Sequence, residues 1–161
     1  MILTRIAFTF CIVVTSNFTL AQNKDTVMTG RATGSFEVKL TPFDKDEKSQ
    51  NPNLGRMSID KQYHGDLEAV GTGQMLTAMT SIKSSAGYVA IEQVSGTLKG
   101  RKGTFVLQHT GILSRGEQEL TIMVVPDSGT DELVGLSGKM TIKIVDGKHF
   151  YNFEYALSAN R

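Results

Sequence analysis

A carboxylate and an imidazole occupy matching places in two neighbouring runs of alternating apolar residues. Glu92 ends Gly87-Tyr88-Val89-Ala90-Ile91-Glu92, and His109 ends Phe105-Val106-Leu107-Gln108-His109. Successive side chains of a strand point to opposite faces, so Glu92 shares a face with Tyr88, Ala90 and Val94, and His109 with Phe105 and Leu107. A type II′ turn at Gly100-Arg101, with Gly at its first central position, sets Thr97 opposite Thr104, Gly96 opposite Phe105, Val94 opposite Leu107 and Glu92 opposite His109. A further turn at Arg115-Gly116 brings Ile122 to the other side of His109. A carboxylate beside an imidazole in apolar surroundings fixes the tautomer of the ring and tunes its basicity, which general acid–base chemistry requires. The same pair also suits the polar end of a bound ligand, or a simple contact across the rim of a barrel. A turn displaced to Arg101-Lys102 would separate the two residues.

Other chemistries find less support. Three dispersed histidines, His64, His109 and His149, without a cysteine ligand or a helical His pair, do not make a zinc site, and no metal is expected. Gly138-Lys139-Met140 lacks the upstream Gly and the following Ser or Thr of a phosphate-binding loop, and no other cofactor motif is present. Asp66 and Glu68 share one strand face, where solvated carboxylates are ordinary. Met75 and Met79 suit a wall or core.

The elements that must position Glu92 and His109 are strands. Phe36, Val38 and Leu40 alternate with Glu37, Lys39 and Thr41, and Met57 and Ile59 with Arg56, Ser58 and Asp60. The same reading gives about eight strands: 30–41, 55–64, 66–79, 86–97, 103–112, 118–126, 138–145 and 148–157. No window reads as an amphipathic helix. Short connections and an even strand count point to an all-β fold, a single closed antiparallel up-and-down barrel without exposed edges. Asp146-Gly147 is the strongest hairpin signal, because both central residues of a type I′ turn need positive φ. It sets Ile144 opposite His149, Ile142 opposite Tyr151, Met140 opposite Phe153 and Gly138 opposite Tyr155, and on the outer face Lys139 opposite Glu154. His149 and Tyr151 thereby join Tyr88, Glu92 and His109 as inward-facing candidates for ligand contact, with Glu92 and His109 the candidates for catalysis. The outer face carries Lys139, Lys143 and Glu154, which do not belong in lipid, so an outer-membrane barrel is excluded.

The first residues read as an export signal. Arg5 precedes the apolar run 6–14, polar Thr15-Ser16-Asn17 follow, and Thr19-Leu20-Ala21 sets small residues for cleavage after Ala21. The run is too short to span a bilayer, which needs about 20 apolar residues. The domain reading is therefore a signal peptide at 1–21, a flexible segment at 22–29 and a barrel at 30–158. Such a chain is periplasmic or extracellular and does not span a membrane after processing. Removal of the leader takes Arg5 and Cys11, the single cysteine, so 17 basic residues become 16 against 16 acidic ones. The remaining chain is neutral and thiol-free, with neither a disulfide nor the basic stripe that nucleic acid demands.

Several stretches carry a family resemblance: Gly55 to Lys61, His64 to Ala69, Gly87 to Glu92, Gly103 to Gly111 and Asp146 to Tyr151. They resemble the bacterial domain-of-unknown-function 3224 family over nearly the whole mature chain. The resemblance implies an eight-stranded meander barrel similar to that of allene oxide cyclase, open to homo-oligomerisation, with no established activity. Gly129 to Gly138 also resembles the Gly-Thr-Gly loop of allene oxide cyclases and dirigent proteins, except that Asp131 stands where Gly is expected. Function does not follow from such a fold. Three classes remain: binding of one small, largely apolar molecule in the barrel; a cofactor-free isomerase, cyclase or lyase using Glu92 and His109; and a packed, ligand-free barrel acting through subunit contacts. Cleavage after Ala21 is expected to give an exported protein beginning at Gln22, and N-terminal sequencing of the envelope fraction checks it; an intact Met1 there contradicts the leader.

Overall fold

The computed structural model describes residues 27–43 and 51–158. The leader and part of the charged insertion between the first two strands lie outside the described residues. Eight strands run in order: β1 Val27–Pro42, β2 Leu54–Gly65, β3 Leu67–Met79, β4 Ala86–Leu98, β5 Arg101–Ser114, β6 Glu117–Val124, β7 Leu136–Val145 and β8 Lys148–Ser158. Each pairs antiparallel with the next, and β1 closes the barrel on β8. β1 starts at Val27 and not at Gly30, because Val27, Met28 and Thr29 pair with Ser158, Leu157 and Ala156 of β8.

The last hairpin has the expected register, with Ile142 opposite Tyr151, Met140 opposite Phe153 and Lys139 opposite Glu154. Its turn residues Asp146 and Gly147 have φ of 49° and 76°, the left-handed values that a type I′ turn requires. The β4–β5 hairpin is a correction. Its turn is Lys99-Gly100, not Gly100-Arg101, with φ of 47° and 82°, and Leu98 pairs with Arg101. Every pairing therefore slips by two: Glu92 faces Leu107, Val94 faces Phe105 and His109 faces Ala90. The cause lies in the neighbouring connection. The Lys99 N–H donates to the Asp66 carbonyl at 2.7 Å, and the Lys99 ammonium stands 3.5 Å from the Asp66 carboxylate. These contacts hold lysine in a conformation that a local reading assigns to glycine. A slip of two leaves every side chain on its own face, so the inward set survives. The Arg115-Gly116 turn sets His109 opposite Ile122 as expected.

One end of the barrel is filled and sealed. Phe105 stacks on Phe153 at 5.7 Å between ring centres, and Phe153 packs on Tyr155. Beneath them Leu67, Leu98, Leu133, Leu136 and Leu157 are buried. Leu133 arrives on a 3₁₀ turn, Asp131–Leu133, inside a connection laced to β5. There the Thr130 N–H donates to the Thr104 carbonyl, the Thr104 N–H to Thr130 Oγ1, and the Val106 N–H to Ser128 Oγ. Asp131, where the resembling loops carry Gly, adopts φ of 51°, the region that Gly enters without steric cost. β6 and β7 are paired through the backbone ladder only at Ile122 with Met140 and Met123 with Lys139. The outer face mixes charged side chains, among them Arg31 paired to Glu154 at 2.6 Å in solvent, with exposed apolar ones such as Val70, Leu76, Val89, Ile91 and Phe150.

A Cβ placed on Gly147 meets no atom within 4 Å, so substitution there tests backbone conformation alone. Gly147→Val is expected to destabilise the fold by about 1 kcal/mol or more, read in a denaturant melt; an unchanged midpoint contradicts the turn.

Candidate functional site

Halfway along the lumen the filled end stops at a buried ionic cluster. Period-two alternation turns Ile59, Lys61 and Tyr63 of β2 inward, Tyr88, Ala90 and Glu92 of β4, and Leu107, His109 and Gly111 of β5. Glu92 is fully buried, and Lys61 and His109 are 8% and 4% exposed. To reach β2 from β4, the Glu92 side chain must cross β3. It does so over Gly71, where a Cβ would run into Glu92 Oε1. The absence of a side chain at Gly71 is thus what allows the cluster to form.

Each carboxylate oxygen of Glu92 has a donor. Lys61 Nζ donates to Oε2 at 2.6 Å, and the Tyr63 hydroxyl donates to Oε1 at 2.8 Å. Lys61 Nζ also donates to the Tyr63 oxygen at 3.2 Å and lies 4.9 Å from the centre of the Phe36 ring. His109 Nε2 stands 3.0 Å from Glu92 Oε2, off the line of a good hydrogen bond and otherwise without a partner. Burial by itself would raise the Glu92 carboxyl. The opposing contact with His109 and the Lys61 ammonium outweigh it and hold the group below the ordinary carboxylate range. Burial first, and then the Glu92 charge, push the Tyr63 phenol well above its usual value, which keeps it a donor. An ion pair this deep is costly to break, because the surviving partner is left as an unpaired buried charge, at about 3–5 kcal/mol.

Above the cluster the barrel is empty. A cavity of about 460 Å³ opens at the end where the β1–β2, β3–β4, β5–β6 and β7–β8 connections lie. Its walls are mainly apolar, from Val38, Ile59, Met75, Leu120 and Ile142 among others, and Lys61 and His109 form its polar floor. Tyr88 and His149 line it as well. The Tyr88 ring covers Gly111, filling the space a side chain would take there, and burial raises its phenol. His149 packs against Phe36 at 5.0 Å.

Of the residues expected from sequence, Tyr88, His109 and His149 are thus brought to one cavity. Glu92 and His109 do meet, as diagonal neighbours and not as a facing pair, but Glu92 lies beneath the floor, screened by Lys61 and His109. Tyr151 stands apart from the cavity. Its hydroxyl accepts the Leu67 N–H at 2.9 Å and donates to the His64 carbonyl at 3.3 Å, a tie between strands. Lys61 was missed, although its parity with Ile59 and Tyr63 placed it inward. Asp66 and Glu68 accept the N–H groups of Thr33 and Gly65 in solvent. Among the described residues no group of three His, Cys, Asp or Glu side chains could hold a metal ion.

Comparison with known proteins matches the chain to a family model described as "Protein of unknown function (DUF3224)" over residues 32–155. It is similar to the solved structure of a protein with unknown function from that family in Shewanella oneidensis MR-1. The identity is 53%, the TM-score 0.74, and the match covers 80% of this chain and 96% of that one. No curated protein matches. These matches name neither an allene oxide cyclase nor a dirigent protein, so that likeness stays an expectation of architecture.

A carboxylate whose folded pKa is depressed contributes stability that is fully present above its unfolded value, about 4.3 for Glu, and is lost as pH falls through the folded value. The difference in melting temperature between the native chain and Glu92→Gln is expected to hold from neutral pH to about 5 and to narrow below about 4. A difference that grows on acidification would mean that folded Glu92 carries its proton at neutral pH.

Proposed function

The chain belongs to DUF3224, a family of proteins of unknown function, and from that premise we propose that it binds one small, largely apolar molecule in the open half of the barrel. The observation that carries this reading is the cavity itself, about 460 Å³ with apolar walls and an open mouth. That volume falls within the roughly 300–1,000 Å³ typical of small-molecule sites. The lining polar groups orient the guest. Lys61 and His109 form the floor, while the Glu92 carboxylate is turned away behind them, so the guest enters with a hydrogen-bond acceptor leading. Tyr88 and His149 flank it nearer the mouth.

The same geometry bears on the reading as a cofactor-free isomerase, cyclase or lyase. Glu92 is fully buried and outside the cavity lining, so it cannot itself take a proton from a bound molecule. In such an enzyme the group touching substrate is His109, with Glu92 as the residue that positions it. A ligand-free barrel acting through subunit contacts would be expected to fill its lumen, whereas Phe36 and Tyr88 line the open half without filling it.

Titration with the neutral fluorophore N-phenyl-1-naphthylamine tests the binding reading. A saturable rise with one site per chain is expected. Thr77→Trp, which places a large ring at the half-buried cavity wall, is expected to weaken that binding about tenfold or more, or roughly 1.4 kcal/mol, with little change in melting temperature. Equal affinity in the two proteins would remove the cavity as the site.

A further inference from the structure

Lys61 is the one buried lysine among the described residues; the others lie exposed. It is a primary amine on the floor of an apolar chamber, within reach of groups that can carry protons. We infer that the cavity captures an apolar aldehyde or ketone by condensation with Lys61 Nζ, giving a protonated imine whose counter-ion, Glu92, is already in place; this rests on the binding reading above.

Charge conservation permits this chemistry and disfavours an anionic guest. The cluster holds one cation and one anion in contact, Lys61 and Glu92, with Tyr63 donating to the carboxylate. A guest bearing a carboxylate would add a second anion beside Glu92, and an unmatched charge in an apolar site is expensive. A neutral carbonyl adds none. Condensation then turns an ammonium into an iminium, so the positive charge stays on the same nitrogen and keeps the same partner.

The steps balance without any further reagent. The Lys61 ammonium gives a proton across 2.6 Å to Glu92 Oε2, and the free amine forms a C–N bond to the carbonyl carbon as the C=O π pair moves to oxygen. Glu92 returns its proton to that oxygen by way of His109 and then takes one from the Lys61 nitrogen it touches, leaving a neutral carbinolamine. His109 both touches Glu92 Oε2, at 3.0 Å, and lines the cavity, so the imidazole carries the proton from the screened carboxylate to the guest. A last proton passed from Glu92 through His109 to the hydroxyl breaks the C–O bond, water leaves, and the nitrogen lone pair closes the iminium beside a carboxylate again ionised.

The experiment mixes the full chain with 4-(dimethylamino)cinnamaldehyde at neutral pH, follows the absorbance, and then reduces with cyanoborohydride for peptide mass mapping. The expected result is a red-shifted band from a protonated imine and an adduct confined to Lys61. Lys61→Arg, which keeps a cation against Glu92 but cannot condense, is expected to lose both. Glu92→Gln is expected to move the band back toward the blue as the imine loses its counter-ion and its proton. Labelling spread over exposed lysines such as Lys39, Lys99 and Lys143 with Lys61 unmodified overturns the inference, as does an unchanged band in Lys61→Arg. N-phenyl-1-naphthylamine separates the two levels. If it binds while Lys61 stays unlabelled, the covalent step falls and the binding reading stands; if it does not bind and Lys61 stays unlabelled, both fall.

Discussion

The buried carboxylate of Glu92 is the constraint around which the barrel is organised. An ionised group cannot sit in an apolar lumen without partners, and three inward side chains supply them from two other strands: Lys61 and Tyr63 from β2, and His109 from β5. Meeting that requirement ties together strands that are not all adjacent in the sheet, across the Gly71 gap. It also sets a level in the lumen. Below it Phe105, Phe153, Tyr155 and the leucine cap pack without need of polar partners. Above it the walls are mainly apolar and leave a cavity, with Phe36 and Tyr88 at its side.

The division into a packed half and an empty half explains how a small barrel can be both stable and hollow. A lumen of eight strands is just wide enough for side chains or one small guest. Here both outcomes occur in one molecule, at opposite ends. The sealed end draws its rigidity from the connection between β6 and β7, which lies along β5 where β6 has ended and hydrogen-bonds to it as a further strand would. The open end is bounded by the β3–β4, β5–β6 and β7–β8 hairpins.

Much of this was legible in the residues. The alternation fixed the inward faces, and Asp146-Gly147 fixed a register, because positive φ at both turn positions leaves little choice. The β4–β5 register was misread because Lys99 takes a left-handed conformation under the pull of Asp66, a contact from another hairpin that no local rule contains. The error did little harm to the site, since strand faces repeat every two residues and the slip was two. Lys61 was overlooked for the opposite reason. Its parity was plain, but a lysine on a strand is ordinarily read as solvent-facing, and only the approach of Glu92 over Gly71 shows what holds it inside. The cavity could not be read at all, because it depends on how far each inward side chain reaches along the lumen and not on which way it points.

The seam between β6 and β7 has two rungs, whereas β1 and β8 are joined by ten. The weakest closure of the cylinder therefore lies away from the strands that begin and end it. Parting that seam leaves an unbroken eight-stranded sheet running from β7 through β8 and β1 to β6, still hinged at its sealed end by Leu133 and the contacts around Thr130. Gln118 and Leu120 stand on one lip and Ile142 and Ile144 on the other, and all four line the chamber. The wall of the chamber is thus held along this line by very few backbone pairings, and side-chain contact between the two lips carries the rest of its closure.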